Sequence, residues 1–130
     1  MNFKFKSIAF IFSIIIILHI SAILFGWYQT KIIWIDNVQH ILAGIAFAIL
    51  FLLINRNKEN KLKIGEIIIF VLFIAILWEL FEFLLLTLLP TYAKKFSLYS
   101  PNLIESLEDI ISNVIGGIIF AIWYLKKKIR

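Results

Sequence analysis

The sequence predicts an all-α, polytopic membrane protein built as a bundle of four transmembrane helices. The 130 residues are 62% hydrophobic with a mean hydropathy of +0.99, which is more apolar surface than a soluble domain of this length can bury. Four apolar segments each approach the roughly 20 residues that cross about 30 Å of hydrocarbon. None alternates consistently as a strand does, and four strands cannot close a barrel. We therefore expect helices, in a single domain over residues 1–130.

The first span is predicted over residues 8–28. It follows the basic stretch MNFKFK and so resembles a signal peptide, but its apolar run exceeds the roughly 7 to 15 residues of a signal's hydrophobic region. It ends in Trp27 and Tyr28, an aromatic pair typical of a membrane interface. We therefore interpret it as a retained span.

The other three spans are predicted over residues 37–54, 66–89 and 103–125. The connection NRNKENKLKIGE before the third span is charged, and the connection before the fourth has a proline at each end, Pro90 and Pro101. The chain has no long linker, low-complexity tract or convincing repeat, which indicates that there is no second domain.

The basic residues predict the orientation of the bundle. The N-terminus, the second connection and the C-terminus hold 2, 4 and 4 Lys and Arg residues, while the first and third connections hold 1 and 2. Because Lys and Arg accumulate on the cytoplasmic side, both termini are predicted to lie in the cytoplasm, with the protein a multi-pass component of the cell (plasma) membrane. The cations flank the spans and form no patch with interleaved aromatic residues, so we expect the lipid bilayer, and not nucleic acid, as the partner.

Two glutamates interrupt the apolar run of the third span, in the stretch LWELFEFLLL. Neither Glu79 nor Glu82 lies near a helix end. Insertion scales assign Asp, Lys or Arg a cost of roughly 2.5–3.5 kcal/mol at a span centre, and an acid in this position is by default a functional-site hypothesis. The alternative is a structural hydrogen-bond network that ties helices together.

Polar residues of the other spans fall at a matching depth in the outer half. Glu79 is predicted roughly 18 Å above the inner edge of its span, and Asp109 and Asn113 roughly 9 and 15 Å below the outer edge of theirs. Residues three or four apart share a helix face, which predicts three polar faces. These are Asp36 with His40, Glu79 with Glu82, and Glu105 with Asp109, Ser112 and Asn113.

Three glycines lie deeper along the second and fourth spans, at Gly44, Gly116 and Gly117. Small residues let membrane helices approach closely, so we expect a tightly packed floor below the polar residues. The whole arrangement predicts an outward-facing acidic pocket.

Helix capping accounts for some of the polar residues without a function. Asp36 with Gln39, and Asn102 with Glu105, both match an N-cap followed by Gln or Glu three positions later. Capping is the favoured interpretation for Glu105.

Three further polar residues have ordinary structural explanations. Glu108 can face water, and Ser112 can bond its own backbone one turn back. His19, alone in the first span, is interpreted as a hydrogen-bonding residue that contacts a neighbouring helix.

The order of the polar motifs resembles a known family. Asp36-x-x-x-His40-x-x-x-Gly44, then Glu79-x-x-Glu82, then Asp109-x-x-x-Asn113-x-x-Gly116 resembles the VanZ-like membrane proteins and is similar to the YjdF-type family. VanZ-like proteins commonly carry Glu-x-x-Gln in the third span, so Glu82 is closer to the YjdF-type pattern. They also often carry an arginine between the third and fourth spans, where this chain has only Lys94 and Lys95 as cations. The resemblance implies an association with the cell envelope and with resistance to glycopeptide antibiotics, but it does not establish a reaction.

Carboxylates, an imidazole and an amide suit a divalent cation such as Mg²⁺, Mn²⁺ or Zn²⁺. The absence of cysteine excludes a disulfide, a thiolate nucleophile and thiolate metal ligands. The first hypothesis is therefore a metal-assisted enzyme acting on a lipid-linked or cell-envelope substrate. Its catalytic residues are predicted as Glu79, Glu82, Asp109 and His40. The metal ligands are predicted from Asp36, His40, Glu79, Glu82 and Asp109, and the binding residues as Asn113, Glu105 and Ser112.

Two other function classes stay open, so the sequence does not decide whether the protein is an enzyme. A proton- or cation-coupled transporter would use Glu79 and Glu82 as titrating carriers, because two carboxylates one turn apart do not both ionise easily. The inner half shows little polar lining, although a homo-oligomer could supply a path at its interface. A non-catalytic protein could instead bind an envelope ligand, as in antibiotic resistance.

Overall fold

The computed structural model describes residues 5–28, 34–55, 64–98 and 102–129, and this part of the chain contains helices and no strand. The helices are α1 (Phe5–Leu24), α2 (Trp34–Ile54), α3 (Ile64–Leu88), the short α4 (Pro90–Lys95) and α5 (Leu103–Ile129). The four long helices have the length and hydropathy needed to cross a membrane. The predicted class, an all-α bundle of four candidate transmembrane helices, is therefore confirmed.

Helix α1 ends four residues before the predicted end of the first span. Gly26 adopts a positive φ of 66°, and the Trp27 amide donates to the Ala22 carbonyl at 2.8 Å. This is the usual way in which a glycine just past a helix satisfies its last carbonyl groups. Trp27 and Tyr28 consequently lie in a turn, from which Tyr28 reaches α2.

Helix α3 ends at Leu88 because Pro90 cannot continue it, and Pro90 instead occupies the first turn of α4. This helix lies in a connection for which no helix is predicted from the sequence. Helix α4 ends at Lys95. The positive φ of Ser97, 50°, then lets the Leu98 amide donate to the Ala93 carbonyl at 2.9 Å. The chain thereby turns back, so that residues 96–98 approach α1.

Helices α2 and α5 are antiparallel and cross in backbone contact. A Cβ atom added at Gly44 would overlap the Asn113 carbonyl oxygen, and one added at Gly116 would overlap the Ile41 carbonyl oxygen. Only glycine permits this approach, as in other close crossings of membrane helices. The predicted role of the small residues is confirmed, and the crossing fixes Asn113 beside the α2 turn that carries His40.

Helix α2 lies at the centre of the bundle and packs against α1, α3 and α5, while α3 also packs against α5. Helix α1 packs most closely against α2, and none of its described Cα atoms lies within 8 Å of one in α3 or α5. The end of the bundle that holds the start of α3 and the end of α5 is filled by apolar side chains, among them Leu52, Ile67, Val71 and Phe120. The polar residues collect at the opposite end.

Candidate functional site

Asp36, His40 and Asp109 form the centre of the polar cluster. One ligand atom from each of the three lies within 4.8 Å of the others. Asp36 and His40 share a face because they are one turn apart on α2. Asp109 lies beside them because α5 crosses α2 in close contact at Gly44 and Gly116. The His40 Nε2 atom lies 3.8 Å from Asp36 Oδ1 and 3.5 Å from Asp109 Oδ1.

These separations are longer than a good hydrogen bond, whose N···O distance is about 2.7–3.2 Å. They are close to the spacing of two ligands on one ion, since tetrahedral bonds of about 2.0–2.2 Å place neighbouring ligand atoms about 3.3–3.6 Å apart. The His40 and Asp109 side chains are only 11% and 7% exposed, whereas Asp36 is half-exposed. The trio can therefore hold a divalent cation with small adjustments of its side chains.

Asn113 determines which nitrogen of His40 carries the proton. Its Nδ2 atom lies 3.0 Å from the Asp109 backbone carbonyl and 2.8 Å from His40 Nδ1. Because a carbonyl can only accept, Asn113 donates one N–H to Asp109 and its other N–H to His40. Nδ1 is therefore an acceptor, and the imidazole proton lies on Nε2, facing the two aspartates.

The remaining amide atom, Asn113 Oδ1, is buried and has no hydrogen-bond partner within the described residues. Asn113 as a whole is only 2% exposed. A buried polar atom in this condition normally has a functional or structural explanation. Its position next to His40 connects it to the chemistry of the cluster.

Glu82 and Glu79 bring two further carboxylates to the same end of the bundle. Glu82 is buried, lines the cavity described below, and accepts a hydrogen bond of 2.8 Å from Trp78 Nε1, one turn earlier on α3. Glu79 is half-buried and lies near enough to act electrostatically on His40. The three polar faces predicted from the sequence thus meet, although only Asp36, His40 and Asp109 fall within ligand distance of one another.

A second hydrogen-bond network adjoins the cluster. His19 places Nε2 at 2.9 Å from the Phe96 carbonyl, which can only accept, so Nε2 donates and Nδ1 accepts from the Tyr28 hydroxyl at 2.7 Å. Gln39 in turn donates to the Tyr28 oxygen at 2.9 Å. Burial raises the pKa of Tyr28 to about 12, so its hydroxyl stays a donor at neutral pH. His19 is a hydrogen-bonding residue as predicted, but its partners lie in the turn after α1 and just past α4, and not in a neighbouring transmembrane helix.

A cavity of about 370 Å³ lies between α1, α2 and α3 next to the polar cluster. Its polar wall consists of Asp36, Gln39, His40, Glu82 and Asn113, and its apolar walls are formed by side chains such as Phe12, Ile15, Ala43 and Phe47. The apolar share of the lining is much the larger. A cavity with one polar wall and several apolar walls suits an amphiphilic ligand.

The structure places two of the predicted binding residues away from the cavity lining. Glu105 is exposed at the start of α5, where Asn102 Oδ1 accepts hydrogen bonds from the Ile104 and Glu105 amides at 2.9 and 3.0 Å. The capping interpretation is confirmed for this pair. Ser112 is buried, but it is not among the described residues that line the cavity.

The capping interpretation of Asp36 with Gln39 is wrong. Helix α2 begins at Trp34, so Asp36 already lies within the first turn, and Gln39 bonds Tyr28. Trp78 and Tyr28 were not predicted as site residues. Trp78 could have been recognised because it lies one helical turn before Glu82, a spacing at which two side chains of a helix can contact each other. No local pattern links Tyr28 to Gln39.

Comparison with known proteins identifies one family. The family model described as predicted membrane protein (DUF2238) matches residues 1–129, almost the whole chain. No curated protein and no solved structure gives a significant match to the sequence.

Proposed function

The chain belongs to the DUF2238 family of predicted membrane proteins, and we propose that it is a metal-assisted enzyme of the cell envelope that acts on a lipid-linked substrate. The observation that carries the proposal is the trio Asp36, His40 and Asp109, whose ligand atoms lie within 4.8 Å of one another beside a largely apolar cavity. The motif resemblance to VanZ-like and YjdF-type proteins supports a role at the envelope.

Electrostatics support a cation at the trio. Asp36, Glu79 and Asp109 lie close to the His40 imidazole, Glu82 lines the same cavity, and no Lys or Arg is among the described residues of its lining. Several carboxylates close together in a region of low dielectric repel one another, and either protons or a divalent cation can offset this repulsion. A half-exposed Asp36 also leaves open positions for water or substrate on the ion.

A bound cation would polarise the substrate or lower the pKa of a bound water. The chain's own residues have separate roles in this proposal. Asp36, His40 and Asp109 are the ligands, Glu82 is a general base held in place by Trp78, and Glu79 adds negative potential near His40. For Nε2 to become a ligand, the imidazole proton moves to Nδ1. Half a turn of the Asn113 amide then presents Oδ1 as its acceptor and gives up the hydrogen bond that Nδ2 donates to the Asp109 carbonyl.

We further propose that the site faces outward. It lies at the end of the bundle where α1 and α3 end. In the sequence, the connections that follow these two helices hold 3 of the 13 Lys and Arg residues, and the N-terminus, the connection after α2 and the C-terminus hold the other 10. The chain has no cysteine, so single cysteines report on topology directly. A cysteine at Lys94 should react with an impermeant maleimide in intact cells, whereas one at Lys127 should react only after lysis. The reverse pattern would contradict the proposed orientation.

The metal centre is tested with purified protein freed of metal and then supplied with Mg²⁺, Mn²⁺ or Zn²⁺. A cation that binds only the folded state must raise the Tm by mass action. We expect at least one cation to raise the Tm of wild type. Asp109→Asn should lose the rise, and Glu66→Gln, in the first turn of α3 at the opposite end of the bundle, should keep it. A wild-type protein that responds to none of the three cations would refute the proposal.

Catalysis is separated from binding by a second measurement. An envelope lipid extract is incubated with protein and the effective cation, and lipid species are followed by mass spectrometry. Wild type should consume a species that Asp109→Asn leaves intact. Glu82→Gln should retain the cation-induced rise in Tm but lose the conversion. A cation response without any conversion would reduce the protein to a non-catalytic binder.

The alternative of a cation-coupled transporter finds less support. Beyond the polar cluster, the far end of the bundle is closed by apolar residues such as Leu52, Ile67 and Val71. Within the described residues, no second polar cluster continues the path through this core.

A further inference from the structure

We infer that the cavity binds a single-chain amphiphile with a phosphate headgroup, which reaches the site sideways from the bilayer between α1 and α3. This inference rests on the proposed function, because the cation held by Asp36, His40 and Asp109 is the group that would bind the phosphate. It adds the substrate class and the route of access.

The gap between α1 and α3 opens the cavity toward lipid. No described Cα atom of α1 lies within 8 Å of one in α3, so the two helices are not in close backbone contact on this side of the cavity. Ile16 and Ile20 on α1 and Trp78 on α3 line the cavity, yet they are 56%, 51% and 39% exposed. Such apolar surface at the middle of a membrane helix faces acyl chains. A ligand can therefore pass from the bilayer into the cavity without crossing water.

Part of the aqueous side of the cavity is covered by the segment that follows α4. Ser97 and Leu98 line it, and the hydrogen bond from His19 to the Phe96 carbonyl ties this segment to α1. Tyr28 bonds both His19 and Gln39, so the same segment is also connected to α2. The bonded cover on one side and the unpacked gap on the other favour a ligand that is delivered by the membrane.

The size and lining of the cavity favour one chain. Ligand pockets span about 300–1,000 Å³, and this cavity of about 370 Å³ lies near the lower limit. Its apolar walls run from Ile20 and Ala43 near the polar wall to Phe12 and Phe47 deeper in the bundle. A single alkyl or isoprenoid chain fits this path beside a small headgroup, whereas two chains would overfill it.

The charges on the polar wall make the binding of a phosphate headgroup depend on the cation. Asp36 and Glu82 line it, and the described lining contains no Lys or Arg. Carboxylates repel an anion, so a phosphate binds here only through a cation that the same carboxylates hold. Divalent cations held by one or two carboxylates commonly complete their coordination with substrate phosphates. Binding of a phosphate amphiphile should therefore require the cation, whereas binding of the matching alcohol should not.

The test uses a long-chain monoalkyl phosphate with a photoreactive diazirine near the end of its chain, and the matching alcohol as the headgroup control. Purified protein is irradiated with each probe in chelator or in Mn²⁺, and the labelled residues are identified by mass spectrometry. We expect the phosphate probe to label the cavity wall around Phe12 and Phe47 in Mn²⁺ and to lose this labelling in chelator. The alcohol should label the same residues in both conditions.

A matched pair of variants on α1 tests the route. Ile16 lines the gap, while its neighbour Ile17 is 63% exposed and is not among the described lining residues. Ile16→Trp should block labelling of the cavity by both probes, and Ile17→Trp should leave it intact. An unchanged Mn²⁺-induced rise in Tm in both variants shows that the fold and the cation site persist. Equal labelling in the two variants would overturn lateral access.

Failure of the inference is distinguishable from failure of the proposed function. If Mn²⁺ raises the wild-type Tm but the phosphate probe does not label the cavity, the inference is wrong while the metal centre stands. Labelling by the phosphate probe that is equal in chelator and Mn²⁺ would overturn the cation-bridged headgroup. If Mg²⁺, Mn²⁺ and Zn²⁺ all leave the Tm unchanged and phosphate labelling is absent, both proposals fall together.

Discussion

Gly44→Ala should destabilise the protein and disturb the candidate site at the same time. The added Cβ would overlap the Asn113 carbonyl oxygen and lie 2.8 Å from the carbonyl carbon. Both groups belong to helical backbones, so no side-chain rotation relieves the overlap, and α2 must move away from α5. Overpacking of this kind costs about 1–3 kcal/mol. Because His40 is one turn from Gly44, the same movement pulls His40 away from Asp109 and Asn113.

The other glycines provide a graded comparison. A Cβ at Gly116 would overlap the Ile41 carbonyl, so Gly116→Ala should match Gly44→Ala. A Cβ at Gly117 would meet only Val71 side-chain atoms, at 3.1 Å or more, which can shift slightly. Gly65 has no atom within 4 Å of an added Cβ, so Gly65→Ala should stabilise α3 by up to about 1 kcal/mol through helix propensity alone.

The assay is unfolding in detergent mixtures with increasing SDS, followed by far-UV circular dichroism, and the quantity compared is the free energy of unfolding. The cation-induced rise in Tm is measured in parallel. Both variants gain helix propensity, so we expect Gly44→Ala to unfold more easily than Gly65→Ala by the overpacking cost alone, roughly 1–3 kcal/mol. Its response to cations should also be smaller than that of Gly65→Ala. Equal stability of the two variants would refute the backbone contact between α2 and α5.

Four further outcomes are expected for single side chains. Tyr28→Phe should cost about 1–3 kcal/mol of unfolding free energy, since it leaves His19 Nδ1 buried without its donor. Because burial raises the pKa of Tyr28 from about 10 to about 12, its contribution to stability should be complete below pH 10 and disappear as the pH rises through 12, a loss that Tyr28→Phe should not show. Trp78→Phe should cost about 1.5–3 kcal/mol, because the Glu82 carboxylate loses a hydrogen bond. Ser97→Gly should stabilise by about 1 kcal/mol, since glycine adopts the positive φ without strain; an unchanged free energy of unfolding would contradict this explanation.

Asn113 is proposed to position His40 through a hydrogen bond, and its neighbour Ser112 provides a matched control. Both residues are buried on α5, but only Asn113 bonds His40. Asn113→Ala should weaken cation affinity about 10- to 100-fold, as is usual for partners of a histidine ligand. Ser112→Ala should leave the affinity near the wild-type value. Equal affinities in the two variants would show that Asn113 does not position His40.

Several features follow from the sequence because their causes are local or compositional. The four spans follow from the length of each apolar run, since a helix is the backbone form that satisfies its own hydrogen bonds in lipid. The shared face of Asp36 and His40 follows from the helical period, and the cap formed by Asn102 follows from residues within one turn. Gly26 and Pro90 also carried local signals for the ends of α1 and α3.

The tertiary structure decided which faces meet and at what distance. Asp109 reaches His40 only because α2 and α5 cross at Gly44 and Gly116, and the depth estimates placed Glu79 just as near. The link from His19 through Tyr28, and the gap that α1 leaves against α3, depend on contacts between residues far apart in the chain. The helical period determines which side chains of one helix share a face. The pairing of helices depends instead on the sum of many weak packing contacts, which no short stretch of sequence contains.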